Sequence, residues 1–433
     1  MSDKILIKNG LILDPAKNSE LKTDIRIAGG EIVEWGTELV QTGEENVIDA
    51  SGCWISAGFI DIHTHMRDLG QKDKEDIHTG TKAAAAGGFT TVVTMANTDP
   101  VIDNGMTLSM YLQKISERAV IEVLPVAAVT KGLAGQELTN MVDLSEMGAI
   151  AFSDDGKPIQ NMTVLRRALE YARLTGKTII SHAEDLDLSE GGSMHECALS
   201  TELGLQGISY TSETVAVARE LEMVRLTQAP YHFTHISCAS SLDLIRRAKV
   251  EGLSVTGDVT PHHLALTVDE VAEYNTNAKM NPPLRTGRDR SELINAIKDG
   301  TITAIATDHA PHTKLEKSRP FTEAPFGITG LETAFSVVYQ ALVLEKHISI
   351  LELIKLLTIG PARILDLPVP SLSAGSPANL CIIDPRIQWT YDTSHGYSKS
   401  TNSPWDQKKL TGRVVCTIYK GQIVYRSEAI TAH

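Results

Sequence analysis

The chain has 433 residues, 42% of them hydrophobic but only 5% aromatic, and its 54 acidic against 40 basic side chains leave a formal net charge of −14. That composition supports a large aliphatic core, and the acidic balance argues against a polyanion-binding surface, which needs clustered Lys and Arg. No apolar run approaches the roughly 18 residues of a membrane span, and Lys8, Asn9 and Gly10 break any signal-peptide core. The cysteines (Cys53, Cys197, Cys238, Cys381 and Cys416) are widely spaced and form no CxxC, as expected of reduced thiols in a cytoplasmic protein.

Residues 1–56 read as short strands between turns, in KILIKNGLIL, DIRIAGGEIVEWG and ENVIDASGCWI, with Asn-Gly, Gly-Gly and Ser-Gly pairs at the reversals. Strand and helix then alternate. The strand stretches are FIDIHTH, TTVVTMAN, IEVLPVAAVT, AIAFSDD, TIISHAE, YHFTHIS, SVTGDVTPHH and TAIATDHAPH. Helical stretches such as MTVLRRALEYARLTG and SSLDLIRRAKVEG lie between them and end on glycine, the usual stop. Eight such units predict an α/β fold, a (β/α)8 TIM barrel over residues 57–364. An open doubly wound sheet would carry GxGxxG after its first strand, and none follows FIDIHTH. The β texture returns in ANLCIIDP and GRVVCTIYKGQIVYR. Each end is too short for a core of its own, so residues 1–56 and 365–433 are expected to pair into one small β-sandwich.

Polar residues end nearly every predicted strand: His63 and His65, Asn97, Asp155, His182, His235 and Asp308. In a barrel those ends converge on one face, where such folds place their sites. His63 and His65, two apart in extended chain, point to the same side and can grip one ion. Singly, each residue has an ordinary structural explanation. A histidine after a strand can be a satisfied core residue, Asp308 can cap a turn, and Asp154-Asp155-Gly156 can be one. Together, four His and two Asp with no thiolate form a ligand set suited to Zn²⁺, with Mn²⁺ or Co²⁺ as substitutes. Six ligands exceed the usual four of one zinc, so two metals sharing a carboxylate fit better. Arg67 would face the same pocket or pair with Asp68 or Glu75, and Asn97 also reads as a turn residue. The His262-His263 pair fills no needed position and is read as structural. No Walker pattern or other Gly-rich phosphate loop is present.

The motifs FIDIHTHMRDLG, KEDIHTGTKAAAAGGFTTVVTMANTDP, AFSDDGKPI, VTPHHL, KMNPPLR, ATDHAPHT and EAPFGITGLETAF follow in that order along essentially the whole chain. In this the sequence resembles the amidohydrolase superfamily and, within it, the bacterial dihydroorotase family. The resemblance implies two zinc ions per chain, one held by His63 and His65, the other by His182 and His235, with Asp155 bridging. Asp308 would complete the first shell and act as general acid/base. His65, Arg67, Asn97 and His312 would hold substrate, with Asn281 and the Phe326-Gly327 backbone near the ring and residues 312–325 a mobile loop. The implied reaction is reversible cyclisation of N-carbamoyl-L-aspartate to L-dihydroorotate, in pyrimidine biosynthesis, through a bridging metal-bound hydroxide. The implied partners are this small-molecule substrate, a second copy in a homodimer, and aspartate transcarbamoylase; neither nucleic acid nor membrane is expected. Where many relatives bridge their metals with a carbamylated lysine, this chain has Asp155. It also reads HMRDLG for the usual HLREPG and MANT for MPNT, and losing both prolines is expected to loosen the Arg67 and Asn97 loops. The alternatives are a hydantoinase or allantoinase, which favours the lysine and needs no arginine, and a silent partner of aspartate transcarbamoylase, which would have lost ligands that are all present here.

Overall fold

The computed structural model describes residues 4–428. At its centre are eight strands: β1 (Phe59–Thr64), β2 (Phe89–Thr94), β3 (Glu122–Ala127), β4 (Ala151–Phe152), β5 (Ile179–Ser181), β6 (Tyr231–Phe233), β7 (Val255–Val259) and β8 (Ala304–Ile305). Each lies inside one of the predicted stretches except β2, which begins one residue before TTVVTMAN. They are hydrogen-bonded neighbours in chain order, all parallel. The ring closes between its first and last members, where Thr64 bridges His309 and His65 N donates to His309 O at 2.9 Å. This is the TIM barrel that the alternation predicts.

The helices follow from local chemistry. In Met162–Thr175, Asn161 caps the first turn by accepting from Thr163 N and Val164 N, and Gly176 ends the helix with φ of 68°. Its buried Leu165, Ala168, Leu169 and Ala172 recur at helical spacing and form the face turned to the barrel. A separate apolar cluster sets Ile60, Val93, Val126, Ile180 and Ala304 from the strands against Ala362, Ile364 and Leu365.

The two chain ends pair as expected. Five strands from the N-terminal end (Lys4–Asp14, Ser19–Ala28, Glu31–Gly36, Asn46–Asp49 and Trp54–Ala57) join three from the C-terminal end (Leu380–Thr390, Lys409–Tyr419 and Gln422–Arg426). Trp54–Ala57 pairs antiparallel with Leu380–Thr390, so the small β domain is one continuous mixed sheet. Ile5, Ile27, Ile55, Leu380, Ile382 and Ile418 share its apolar core. Gly30 and Gly421 let hairpins from opposite ends meet: both have positive φ, and a Cβ on Gly421 would lie 2.7 Å from Gly30 Cα. A run of ring contacts, Trp54–Tyr339–Phe335–Phe59–Phe89, fastens this sheet to the barrel.

Candidate metal centre and substrate cleft

At the C-terminal ends of the barrel strands the polar residues converge. Asp61 braces the seam, its Oδ1 accepting from His63 N at 3.1 Å and Thr307 N at 3.0 Å, and its Oδ2 from Thr307 Oγ1 at 2.5 Å. Burial nevertheless raises this carboxyl to about 7. Three non-glycine residues of the site adopt left-handed backbone, Arg67 (φ 54°), His235 (φ 40°) and Asp308 (φ 47°). Such conformations are uncommon and are held only where the surroundings fix them.

Hydrogen bonds behind the imidazoles settle which nitrogen faces inward. His63 Nδ1 lies 2.7 Å from Thr234 Oγ1, whose single proton goes to Asp258 Oδ2 at 3.0 Å. The hydroxyl therefore accepts from His63 Nδ1–H and leaves the Nε2 lone pair free. His65 Nδ1 donates to Asn97 Oδ1 at 2.8 Å, again presenting Nε2. His182 Nε2 donates to Glu184 Oε2 at 3.1 Å, presenting Nδ1. These three lone pairs and His235 Nε2 surround Asp155.

Two ligand triplets result, His63–His65–Asp155 and Asp155–His182–His235, each with ligand atoms within 4.8 Å of one another and every member buried. Asp155 Oδ1 is 3.4 Å from His63 Nε2, 3.7 Å from His235 Nε2 and 3.8 Å from His182 Nδ1; Oδ2 is 3.5 Å from His65 Nε2. Asp308 Oδ1 stands 3.1 Å from His65 Nε2 and 3.5 Å from His63 Nε2. His63 Nε2 and Asp155 Oδ1 are buried without any hydrogen-bond partner. A buried carboxylate oxygen facing an unpartnered imidazole nitrogen fits a divalent cation, and the nitrogen and oxygen donor set contains no thiolate. Burial opposes a charge on His63, yet Asp155 and Asp308 raise its imidazole to about 10, so a cation has to displace a proton from Nε2 to take that lone pair. Burial likewise pushes the Asp155 and Asp308 carboxyls up, but the surrounding histidines hold both below the usual range.

Above this cluster opens a cleft of about 370 Å³, whose lining includes Arg67, Asn97, Asn281, His312, Phe326 and Gly327. Arg67 donates from Nε to Pro311 O (3.2 Å) and from Nη2 to His312 Nε2 (3.3 Å). Among the described residues no carboxylate stands within ion-pairing distance of its guanidinium. Burial and the charge of Arg67 depress His312, so its ring is neutral and can accept that bond. Asn281 Nδ2 donates to Glu184 Oε2 at 3.0 Å. Gly327 has φ of 126°, and a Cβ there would lie 2.8 Å from Ala310 O. Its peptide groups are used inside the protein: N donates to Lys279 O at 2.9 Å, and O accepts from Lys317 Nζ and Asn402 Nδ2, both at 3.0 Å.

The expected site residues therefore meet in one place. Of the His262-His263 pair, His263 is fixed by Thr260 Oγ1 (2.8 Å) and Pro282 O (3.1 Å), whereas His262 leaves its Nε2 buried without a hydrogen-bond partner. Residues 312–325, expected as a mobile loop, carry a short helix, Lys314–Lys317, closed by a Thr313–Glu316 capping box, and bury Lys317. Sequence reasoning missed Glu184, Thr234, Asp258, Lys317 and Asn402. Only Glu184 carried a signal, two residues beyond His182 in SHAE.

Comparison with known proteins agrees with this geometry. A family model described as Dihydro-orotase-like matches residues 52–241. The chain is 46% identical over 423 residues to a dihydroorotase of Syntrophotalea carbinolica, covering 98% of this chain and 99% of that protein. Identity is 45% to a dihydroorotase of Citrifermentans bemidjiense, with 98% and 100% covered. It is 43% to one of Pelotomaculum thermopropionicum, with 99% and 100% covered. Among solved structures, L-hydantoinase (dihydropyrimidinase) from Arthrobacter aurescens superposes with a TM-score of 0.87 at 22% identity, over 98% of this chain and 96% of that one. Dihydropyrimidinase from Brevibacillus agri NCHU1002 gives 0.85 at 23% identity, over 99% and 96%. These two share the fold.

The Thr234 hydroxyl offers a direct test of how the ligands are set. Thr234→Val removes the acceptor for His63 Nδ1–H, and losses of about 10–100-fold in metal affinity are typical when such a partner goes. Competition with a chromophoric chelator should show that loss, while Thr234→Ser retains near wild-type affinity.

Proposed function

The chain belongs to the dihydroorotase family, and from that premise we propose that it catalyses the reversible cyclisation of N-carbamoyl-L-aspartate to L-dihydroorotate. It is a cyclic amidohydrolase enzyme. The observation that carries the substrate assignment is Arg67, a cation with no carboxylate partner on the wall of a cleft whose floor is the two ligand triplets. The hydantoinase alternative is not favoured, since the full-length relatives at 42–46% identity bear the dihydroorotase name.

In this reading His63, His65, Asp155 and Asp308 hold one zinc ion, and His182, His235 and Asp155 hold a second. Bound there, the ions supply a water nucleophile at neutral pH and Lewis-acid polarisation of the reacting carbonyl. Asp308, kept ionised by His65 and His63, accepts a proton and, in the hydrolytic direction, returns it to the leaving ring nitrogen. The planar fork of Arg67 pairs with the substrate carboxylate. His312, held against Arg67, steadies that fork from one side. Asn97 orients His65 and borders the cleft, and Asn281 restrains Glu184 behind His182. Among the described residues no helix is long and apolar enough to cross a membrane. The family resemblance further supports a cytoplasmic homodimer that associates with aspartate transcarbamoylase.

The deciding experiment is turnover of dihydroorotate by purified protein, with metal content measured on the same sample. Chelation should abolish activity, and Zn²⁺, Mn²⁺ or Co²⁺ should restore it; full activity in metal-free protein would overturn the reading.

Asp308→Asn keeps the shape but removes the proton acceptor, so kcat should fall by at least the roughly 10²–10⁴-fold typical of general acid/base catalysis. A near wild-type kcat would assign proton transfer elsewhere.

Substrate choice tests Arg67. Leaving a buried charge unpaired costs about 2–5 kcal/mol, so kcat/KM for dihydroorotate should exceed that for dihydrouracil, the same ring without the carboxylate, by about 10²–10³ or more. Arg67→Met should collapse that preference by lowering activity on dihydroorotate alone. Equal losses on both rings would make Arg67 a structural residue.

A further inference from the structure

After the strand Leu380–Thr390 the chain leaves the end sheet, crosses to the cleft end of the barrel, and returns as Lys409–Tyr419. Asn402 lies in that crossing and is 3% exposed. Every polar group of its side chain is used on two loops of the cleft. Oδ1 accepts from His312 N at 3.1 Å, and Nδ2 donates to Ala310 O at 3.1 Å and to Gly327 O at 3.0 Å. Its own carbonyl accepts from Thr329 N at 2.9 Å. The crossing is itself anchored, since Ser400 Oγ donates to Lys74 O at 2.7 Å and Ser398 Oγ to Glu75.

The two loops are otherwise joined by little. A single parallel bridge links His309 to Ile328, with Ala310 N donating to Ile328 O at 2.8 Å. Beyond it, among the described residues, no backbone hydrogen bond joins Ala310–His312 directly to Phe326–Gly327. A primary amide has the donors and acceptor of a peptide unit. The Asn402 side chain supplies such a unit between the two loops, accepting from His312 N and donating to Ala310 O and Gly327 O. Lys317 reinforces it from the other side, its Nζ donating to Gly327 O at 3.0 Å and Pro325 O at 2.9 Å. The Gly327 carbonyl thus receives one amide and one ammonium, and its position is doubly determined.

We propose that Asn402 is a positioning residue for substrate, setting the separation between His312 and the Phe326-Gly327 wall. This deepens the dihydroorotase reading and rests on it for the identity of the ligand. The residue touches neither the metal ligands nor the reacting bond. Its loss should therefore loosen binding far more than it slows the chemistry, as removal of a uniform binding interaction does.

The test compares wild type with Asn402→Ala, Asn402→Asp and Lys317→Met. The aspartate keeps the acceptor for His312 N but turns the two donations to Ala310 and Gly327 into repulsions. Lys317→Met removes the second donor to Gly327 and leaves Asn402 intact. For each protein KM and kcat on dihydroorotate, bound metal and melting temperature are measured. We expect Asn402→Ala and Asn402→Asp to raise KM by about 10-fold or more, on the scale that misplacement of binding groups produces, with kcat within about threefold and metal content unchanged. Lys317→Met should raise KM in the same sense. An unchanged KM in the Asn402 variants, or a parallel loss of kcat and metal, would overturn the proposal. So would failure of all three variants to fold, which would assign these residues to stability alone. Absence of dihydroorotate turnover by wild type would instead overturn the functional reading and this proposal with it.

Discussion

Two carboxylates, Asp155 and Asp308, are buried at the mouth of an aliphatic barrel, and much of the surrounding structure makes that placement tolerable. An unpaired buried charge costs several kcal/mol. Here four imidazoles face the pair, and three of them, His63, His65 and His182, donate one nitrogen outward so that the other points inward. Thr234, Asn97 and Glu184 take the outward protons. The orientations of those three rings are consequently properties of the fold. Asp258 links the two halves of the centre. It accepts from Thr234 Oγ1, which holds His63, and from the backbone of His235, at 3.0 and 2.6 Å.

Much of this was legible in the sequence. Strand ends can be read from a change of texture, apolar and β-branched residues giving way to His, Asn or Asp, and the barrel makes those ends one surface. Asp154 and Asp155 illustrate why residue-level assignment also succeeds. Adjacent residues leave a strand on opposite sides. Asp154 turns back to accept from Val129 N and Thr130 N at 2.8 and 3.0 Å, leaving Asp155 to face the histidines. What could not be read depends on register or on distant chain. Thr234 matters only because β6 and β7 are aligned to place Asp258 beside it, and Asn402 lies 90 residues from His312 and 75 from Gly327, on the loops it joins.

The departures HMRDLG and MANT have physical compensation. Losing a proline frees backbone dihedrals that something else has to hold. After Arg67, Asp68 accepts from Leu69 N at 2.8 Å and Ile77 N at 3.3 Å, while Gln71 N donates to Arg67 O at 3.0 Å. Ala96, in the place of the other proline, is buried, and its carbonyl accepts from Ile102 N at 3.1 Å. Of these bonds, the one from Leu69 N is one that a proline could not make, since proline has no N–H.

The centre and the cleft therefore have different supports. The histidines of the two ligand triplets sit on or just past parallel strands, where the ladder fixes them to one another. Cleft residues sit on loops, which have no ladder beyond the single His309–Ile328 bridge. Their shape comes from side chains that imitate backbone, an amide at Asn402 and an ammonium at Lys317. The amide belongs to a segment rooted in the sheet built from both chain ends. The aromatic run from Trp54 to Phe89 holds that sheet to the barrel wall. In this architecture the small domain shapes the ligand's side of the site, and the barrel fixes the chemistry.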